Sequence, residues 1–187
     1  RATPPAEGAG ANPKRPGSGW RSSWNQALAP DTATLKNNLR CYDSYQTFTD
    51  KPAGNENKPA NCVDWYTAFA FCVWDGGRLA TEAEWMYAAS GGSEQRYYPW
   101  SSPPSSTTID DSYAAYCGST CWSMQNVGMT PKGDGKWGHS DLGGNAWEWT
   151  LDWNSSQVPL PCSDCAVLSG GTWRNARSGA YNDLAAT

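Results

Sequence analysis

No apolar run in this chain approaches the roughly 20 residues a helix needs to cross a bilayer, so the sequence offers no helical membrane span. There is no basic run either. Its 14 Lys and Arg stand against 18 Asp and Glu for a net charge of −4, which leaves a nucleic-acid surface without support. Histidine occurs once, as His139. A serine or cysteine nucleophile needs a positioned base, and no recognisable nucleophile motif lies near His139; we read it as a loop side chain making one hydrogen bond beside the turn at Asp141. The chain begins at Arg1 with neither Met nor a signal-like segment, the pattern of a processed, truncated or partly observed product.

What is present is aromatic and loop-forming. The 187 residues suit one domain with a sizeable core, and 12 Trp, 9 Tyr, 19 Gly and 13 Pro describe a loop-rich globule rather than a helical bundle. Seven cysteines are many for a cytosolic domain and ordinary for an exported one, which points to an oxidising location: extracellular, at a cell surface or periplasmic. The spacings Cys117-x3-Cys121 and Cys162-x2-Cys165 suit local disulfide staples and leave Cys41 to pair with Cys62, with one cysteine over. A four-cysteine zinc site built from the two close pairs is the rival, although about 40 residues separate them, more than in compact zinc modules.

Residues 1–60 read as a loop-rich arm packed on the domain, with Gly17-Ser18-Gly19-Trp20 as its anchor and a short helix at 32–39 capped by Asp31 or Thr32; the plainer alternative for 1–39 is a flexible tail. Trp65, Ala68, Phe69, Cys72 and Val73 fall at i, i+3, i+4, i+7 and i+8, the apolar face of a helix that Gly76-Gly77 ends. Thr81-Glu82-Ala83-Glu84 has the form of a capping box and predicts a second helix to about Ala89. Beyond residue 110 only short strand-like pieces follow, at 113–116, 126–129, 146–153 and 167–173. Tyr97, Tyr98 and Trp100 are expected to be packed.

One stretch concentrates oxygen ligands on a bendable backbone: Gly138-His139-Ser140-Asp141-Leu142-Gly143-Gly144-Asn145-Ala146-Trp147-Glu148-Trp149-Thr150. Asp141 and Glu148 offer carboxylates, and the glycine pair allows the carbonyls of Gly144 and Ala146 to face one centre, as a hard cation requires. Trp147 and Trp149 are placed to hold this loop against a core. The plainer alternative is that Asp141 caps a turn and Glu148 forms a salt bridge.

The same stretch closely resembles the formylglycine-generating enzyme (sulfatase-modifying factor) family, a variant of the C-type lectin fold, through its Gly144-Asn145-Ala146-Trp147-Glu148-Trp149. Four further motifs follow the family in order: the segment from Asn61 to Cys72, Gly77-Arg78-Leu79-Ala80-Thr81-Glu82-Ala83-Glu84-Trp85, Tyr98-Pro99-Trp100, and Gly170-Gly171-Thr172-Trp173-Arg174. Together they cover residues 61–187. The resemblance implies an α+β, irregular C-type-lectin-like fold of two helices plus small antiparallel sheets, with calcium held by Asp141, Gly144, Ala146 and Glu148. A second family calcium site begins with an asparagine where this chain has Ala115, and is not carried over; Asp110-Asp111 could replace it, but adjacent acids are more often solvated.

The family's copper-dependent oxidation of a substrate cysteine to formylglycine relies on two cysteines after the Gly-Gly-Thr-Trp segment. Here those positions are Asn175 and Ala180, and neither can bind copper as a thiolate. A further family disulfide falls at Ala89 and Ala185. Iron-dependent relatives use several histidines, so an iron enzyme would need ligands from another chain. In the last segment Trp173, Arg174, Asn175, Arg177 and Tyr181 mix aromatic and polar groups on what the lectin scaffold makes a ligand surface, or simply a wet surface.

These observations imply a non-catalytic, calcium-stabilised extracellular domain that binds a protein or glycan or builds a surface assembly. The alternative is a copper-dependent oxidoreductase acting on protein cysteine. Family members usually carry opening strands, and a closing Gly-Phe-Arg-Cys-like strand whose cysteine pairs at the position of Cys72. The domain at 61–187 therefore reads as incomplete at both ends, with the missing strands supplied by more of its own chain or by another copy. Cys72 is expected to be buried on the core face of its helix.

Overall fold

Side chains one turn away decide where the first two helices start. Asp31 Oδ1 accepts from the Thr34 amide at 2.7 Å and opens α1 (Thr32–Asn38). Asp64 accepts from the Thr67 amide at 3.0 Å and from its hydroxyl at 2.6 Å, opening α2 (Trp65–Trp74). Caps of this kind satisfy orphan amide donors and contribute about 1 kcal/mol each. Asp75 and then Gly76, at φ +82°, end α2. At the start of the third helix, α3 (Glu82–Ala89), a contact also arrives from far along the chain: Asp152 Oδ2 accepts from the Glu82 amide at 2.8 Å.

The computed structural model describes residues 3–41, 45–118, 123–155 and 163–185. Besides the helices it has short 3-10 turns and a two-stranded antiparallel sheet of β1 (Glu148–Trp153) and β2 (Arg174–Arg177). The architecture is thus α+β and rich in loops. Three of the four expected strand pieces change. Residues 113–116 and 126–129 form turns and loop, and β2 begins at Arg174, after the 167–173 segment. Their backbone groups pair singly instead of in a ladder, as when Asn145 donates to Ala115 O at 2.7 Å and Val127 to Asn57 O at 2.8 Å.

The chain divides into two units. The first comprises Arg1–Gln46, Cys62–Ala83 and Trp149–Ala176. Its core is Trp20, Leu28, Trp65, Phe69, Leu79 and Leu151, with Trp24, Tyr66, Cys72, Val73 and Trp149 packed against it. Trp65 and Phe69 confirm the inward face of α2. Trp20 is fully buried, so the expected anchor lies within the core itself, held by Gly8 N to Trp20 O at 2.7 Å and Trp20 N to Ala9 O at 2.8 Å. Among the described residues Cys72 is the free cysteine. It is half-buried against this core, and burial, then the Asp75 carboxylate, push its thiol up from its ordinary value.

A disulfide joins Cys41 and Cys62, with Cα atoms 5.6 Å apart. Cys117 and Cys165 are disulfide-bonded as well; their expected partners, Cys121 and Cys162, lie outside the described residues. The second unit comprises Thr47–Asn61, Glu84–Glu148 and Arg177–Thr187. It holds a row of rings, Tyr98 stacked on Trp100 at 4.9 Å and Trp100 on Tyr113 at 5.7 Å. Tyr97 meets Tyr98 edge-on but stays half exposed.

Candidate functional site

The 141–148 loop is built around Asn145, which is 2% exposed. Its side chain clamps one residue in both directions, accepting from Gln125 N at 3.0 Å and donating to Gln125 O at 3.3 Å. Its amide donates to Ala115 O at 2.7 Å and its carbonyl accepts from Tyr181 N at 3.1 Å. The residue sits at φ +64°, a left-handed conformation that asparagine tolerates better than most residues. The glycines beside it permit close approach: a Cβ on Gly144 would lie 2.4 Å from Ala115 O, and one on Gly143 would lie 2.8 Å from the Trp100 ring.

Asn145→Ala leaves two Gln125 backbone groups unpaired and places alanine in a strained backbone well. A loss of about 1–3 kcal/mol is expected, measurable as a lower urea midpoint at unchanged slope. The hub role was not read from the sequence, although an asparagine following two glycines signals a left-handed turn.

Clamped in this way, the loop presents different residues to two cavities. Asp141, Asn145, Ala146 and Glu148 line one of about 530 Å³, together with Trp147. Asp141 Oδ2 accepts from Gly128 N at 2.7 Å, and Glu148 Oε2 accepts from Trp85 Nε1 at 2.6 Å. Among the described residues neither carboxylate has a cationic partner. Burial raises the Glu148 carboxyl above its ordinary value and the Asp141 charge raises it further, while the Trp85 hydrogen bond opposes both.

Two acids that line one cavity without a countercharge, with Ala146 beside them, offer oxygens of the kind a hard divalent cation takes. Among the described residues no group of three or more His, Cys, Asp or Glu could hold a metal, so such a site depends on backbone oxygens. Gly144 faces the other way. Its carbonyl accepts from Ala146 N at 2.8 Å and from Ser178 Oγ at 3.1 Å, and the residue lines the second cavity.

That second cavity, about 500 Å³, is walled by Trp85, Tyr98, Trp100, Leu142 and Trp147. Ala89, Ala180 and Ala185 all line it. Its rim carries exposed apolar side chains: Met86 at 43%, Tyr97 at 49%, Trp147 at 55% and Leu184 at 78%. Trp147 was expected to be packed inward; it stands between the two cavities, while Trp149 turns into the core and donates from Nε1 to Val63 O at 2.8 Å. His139 is exposed.

The five residues expected to form a ligand surface separate. Trp173 is 75% exposed. Arg174 turns inward, its guanidinium 3.5 Å from the Trp65 ring centroid and 3.8 Å from that of Trp153, with Nη1 donating to Leu151 O at 2.9 Å. Burial pulls its pKa down to about 10; the aromatic faces attract the cation and hold it there. Asn175, at the first cysteine position, donates to Glu82 Oε2 at 2.9 Å and accepts from Asn154 Nδ2 at 3.0 Å. Arg177 is partly buried, and Tyr181 is buried at the wall of a cavity of about 320 Å³.

The profile of the "Sulfatase-modifying factor enzyme 1-like domain" family matches residues 21–184, starting some 40 residues before the motifs quoted above. The chain is 31% identical over 140 residues to the bovine "Inactive C-alpha-formylglycine-generating enzyme 2", covering 68% of this chain and 42% of that protein. With the mouse protein of the same name the identity is 29% over 198 residues, covering 89% of this chain and 58% of the relative. With the "Formylglycine-generating enzyme" of Thermomonospora curvata it is 30% over 156 residues, 72% and 47%. The chain thus spans about half the length of these relatives. The match across 21–184 is to one family throughout, and this chain belongs to the sulfatase-modifying factor enzyme 1-like, formylglycine-generating enzyme family.

Proposed function

We propose that the chain is a non-catalytic, calcium-stabilised recognition domain that binds a segment of another protein in the aromatic cavity beside the 141–148 loop. The observation that carries this reading is the lining of that cavity by Ala180, Ala89 and Ala185. By the family resemblance these are one catalytic-cysteine position and both ends of a disulfide. Thiols there are replaced by methyl groups, so these three positions give the pocket apolar walls and no thiolate ligand for copper. A cavity of about 500 Å³ suits a large side chain or two of an extended peptide, and exposed apolar rims are common at protein contacts. The family's description as sulfatase-modifying also favours a protein ligand over a glycan.

Asp141, Glu148 and the Ala146 carbonyl would hold the calcium. When bound, calcium supplies two positive charges to the facing carboxylates and ties the ends of the loop together. The fold around it we take to be the C-type-lectin-like variant of the family. The Cys41–Cys62 disulfide supports an oxidising, extracellular setting, and no helix among the described residues is long and apolar enough to cross a membrane.

An array of short peptides bearing apolar and aromatic residues, run beside a glycan array, tests this reading. Ala180→Trp, which fills the cavity, is expected to abolish peptide capture while the unfolding temperature stays near that of the parent. Glycan capture indifferent to Ala180→Trp, with no peptide retained, would defeat the proposal.

A further inference from the structure

One hydrogen bond and one side chain join the two cavities. Trp85 lines the aromatic cavity, and its Nε1–H donates at 2.6 Å to Glu148, which lines the cation cavity. Trp147 lines both. Between Asp141 and Glu148 the loop leaves no slack, since Leu142, Gly143 and Gly144 face the aromatic cavity while Asn145 and Ala146 face the other. Gly143 is also pressed against Trp100, where a Cβ would come within 2.8 Å. A shift of the Glu148 carboxylate or of the loop is therefore transmitted directly to Trp85, Trp100 and Trp147, three aromatic walls of the aromatic cavity.

We propose that calcium held by Asp141 and Glu148 fixes the aromatic cavity in its binding shape through Trp85, so that calcium and the apolar ligand bind with positive cooperativity. This rests on the reading of the two cavities given above. A cation held by Glu148 fixes the position of the carboxylate to which Trp85 Nε1–H donates. The Trp85 ring is then held at one position on the wall. Because the coupling is a property of binding free energies it must be reciprocal: the ligand tightens calcium by the same factor that calcium tightens the ligand.

The probe is the apolar fluorophore 1-anilinonaphthalene-8-sulfonate, titrated into the whole chain with calcium and with excess chelator. Calcium is titrated calorimetrically with and without the dye. The expected result is a dye affinity about five-fold or more higher in calcium, matched by an equal gain in calcium affinity. Trp85→Phe keeps an apolar wall but has no N–H. Whatever its calcium-free affinity for the dye, its ratio is expected to fall well below the parent's, to what Trp100 and Trp147 alone transmit, while calcium still binds, with its unfolding temperature followed as the control for folding.

A ratio of one in the parent, with both probes bound, overturns the coupling and leaves both sites standing. Calcium binding without any dye binding refutes the cavity, and dye binding without calcium binding refutes the metal site; either result overturns the coupling too. A Trp85→Phe ratio equal to that of the parent shows that the path does not run through this hydrogen bond.

Discussion

Trp65→Ala is expected to lower stability by about 3–5 kcal/mol, the range for deleting a large buried aromatic ring. Trp65 is 3% exposed. Its ring meets Trp24 at 5.3 Å, Tyr66 at 5.2 Å and Phe69 at 5.2 Å, so the cavity left behind is bounded by other rings that cannot readily collapse into it. Two further losses follow from the same change. Thr150 O loses the indole donor at 2.8 Å, and Arg174 loses the aromatic face 3.5 Å from its guanidinium, leaving a half-buried cation less well compensated. At about 2–4 °C per kcal/mol for a chain of this size, the unfolding midpoint should drop by about 6–20 °C. A shift of only a degree or two in differential scanning calorimetry would mean that this aromatic cluster does not hold the first unit together.

Chelation is expected to be the second large effect. A cation present at about 100 times its dissociation constant stabilises the folded chain by about 2.7 kcal/mol, or about 5–11 °C at the same conversion. Excess chelator should remove that increment from the parent. Glu148→Gln keeps the size of the side chain and an oxygen for Trp85 Nε1, yet removes the charge that faces Asp141. The variant should lose most of its response to calcium, and its chelated form should be about as stable as the chelated parent or more so, because a partly buried charge repelled by Asp141 has been taken away. Equal midpoints for the parent in calcium and in chelator would remove the metal from the account.

Much of the fold that depends on near neighbours could be read from the sequence. Asp31 and Asp64 cap amides three residues on, and the 3.6-residue period put Trp65 and Phe69 inward. Contacts between distant stretches could not. The first amide of α3 finds its acceptor in Asp152, 70 residues downstream. Arg174 sits in a polar-looking segment but is claimed by Trp65 and Trp153 from two other stretches.

The candidate site divides in the same way. Asp141, Ala146 and Glu148 share a cavity because their spacing within one short loop determines it. Gly144 does not join them, because Ser178, 34 residues on, takes its carbonyl. Short strand-like pieces misled for a related reason, since a β pattern predicts a ladder only if a partner segment runs alongside. The segments at 113–116 and 126–129 find single bonds to Asn145 and Asn57 instead.

The central claim is that the alanine-lined cavity binds a protein segment without changing it. It is tested most directly by incubating the chain with copper, oxygen and a cysteine-containing sulfatase-type peptide, and following the peptide by mass spectrometry. The account predicts that the cysteine is recovered intact at every time point, because Asn175 is tied to Glu82 and Asn154 and Ala180 presents only a methyl group. Copper-dependent conversion of that cysteine to formylglycine, with turnover proportional to the amount of chain added, would contradict it.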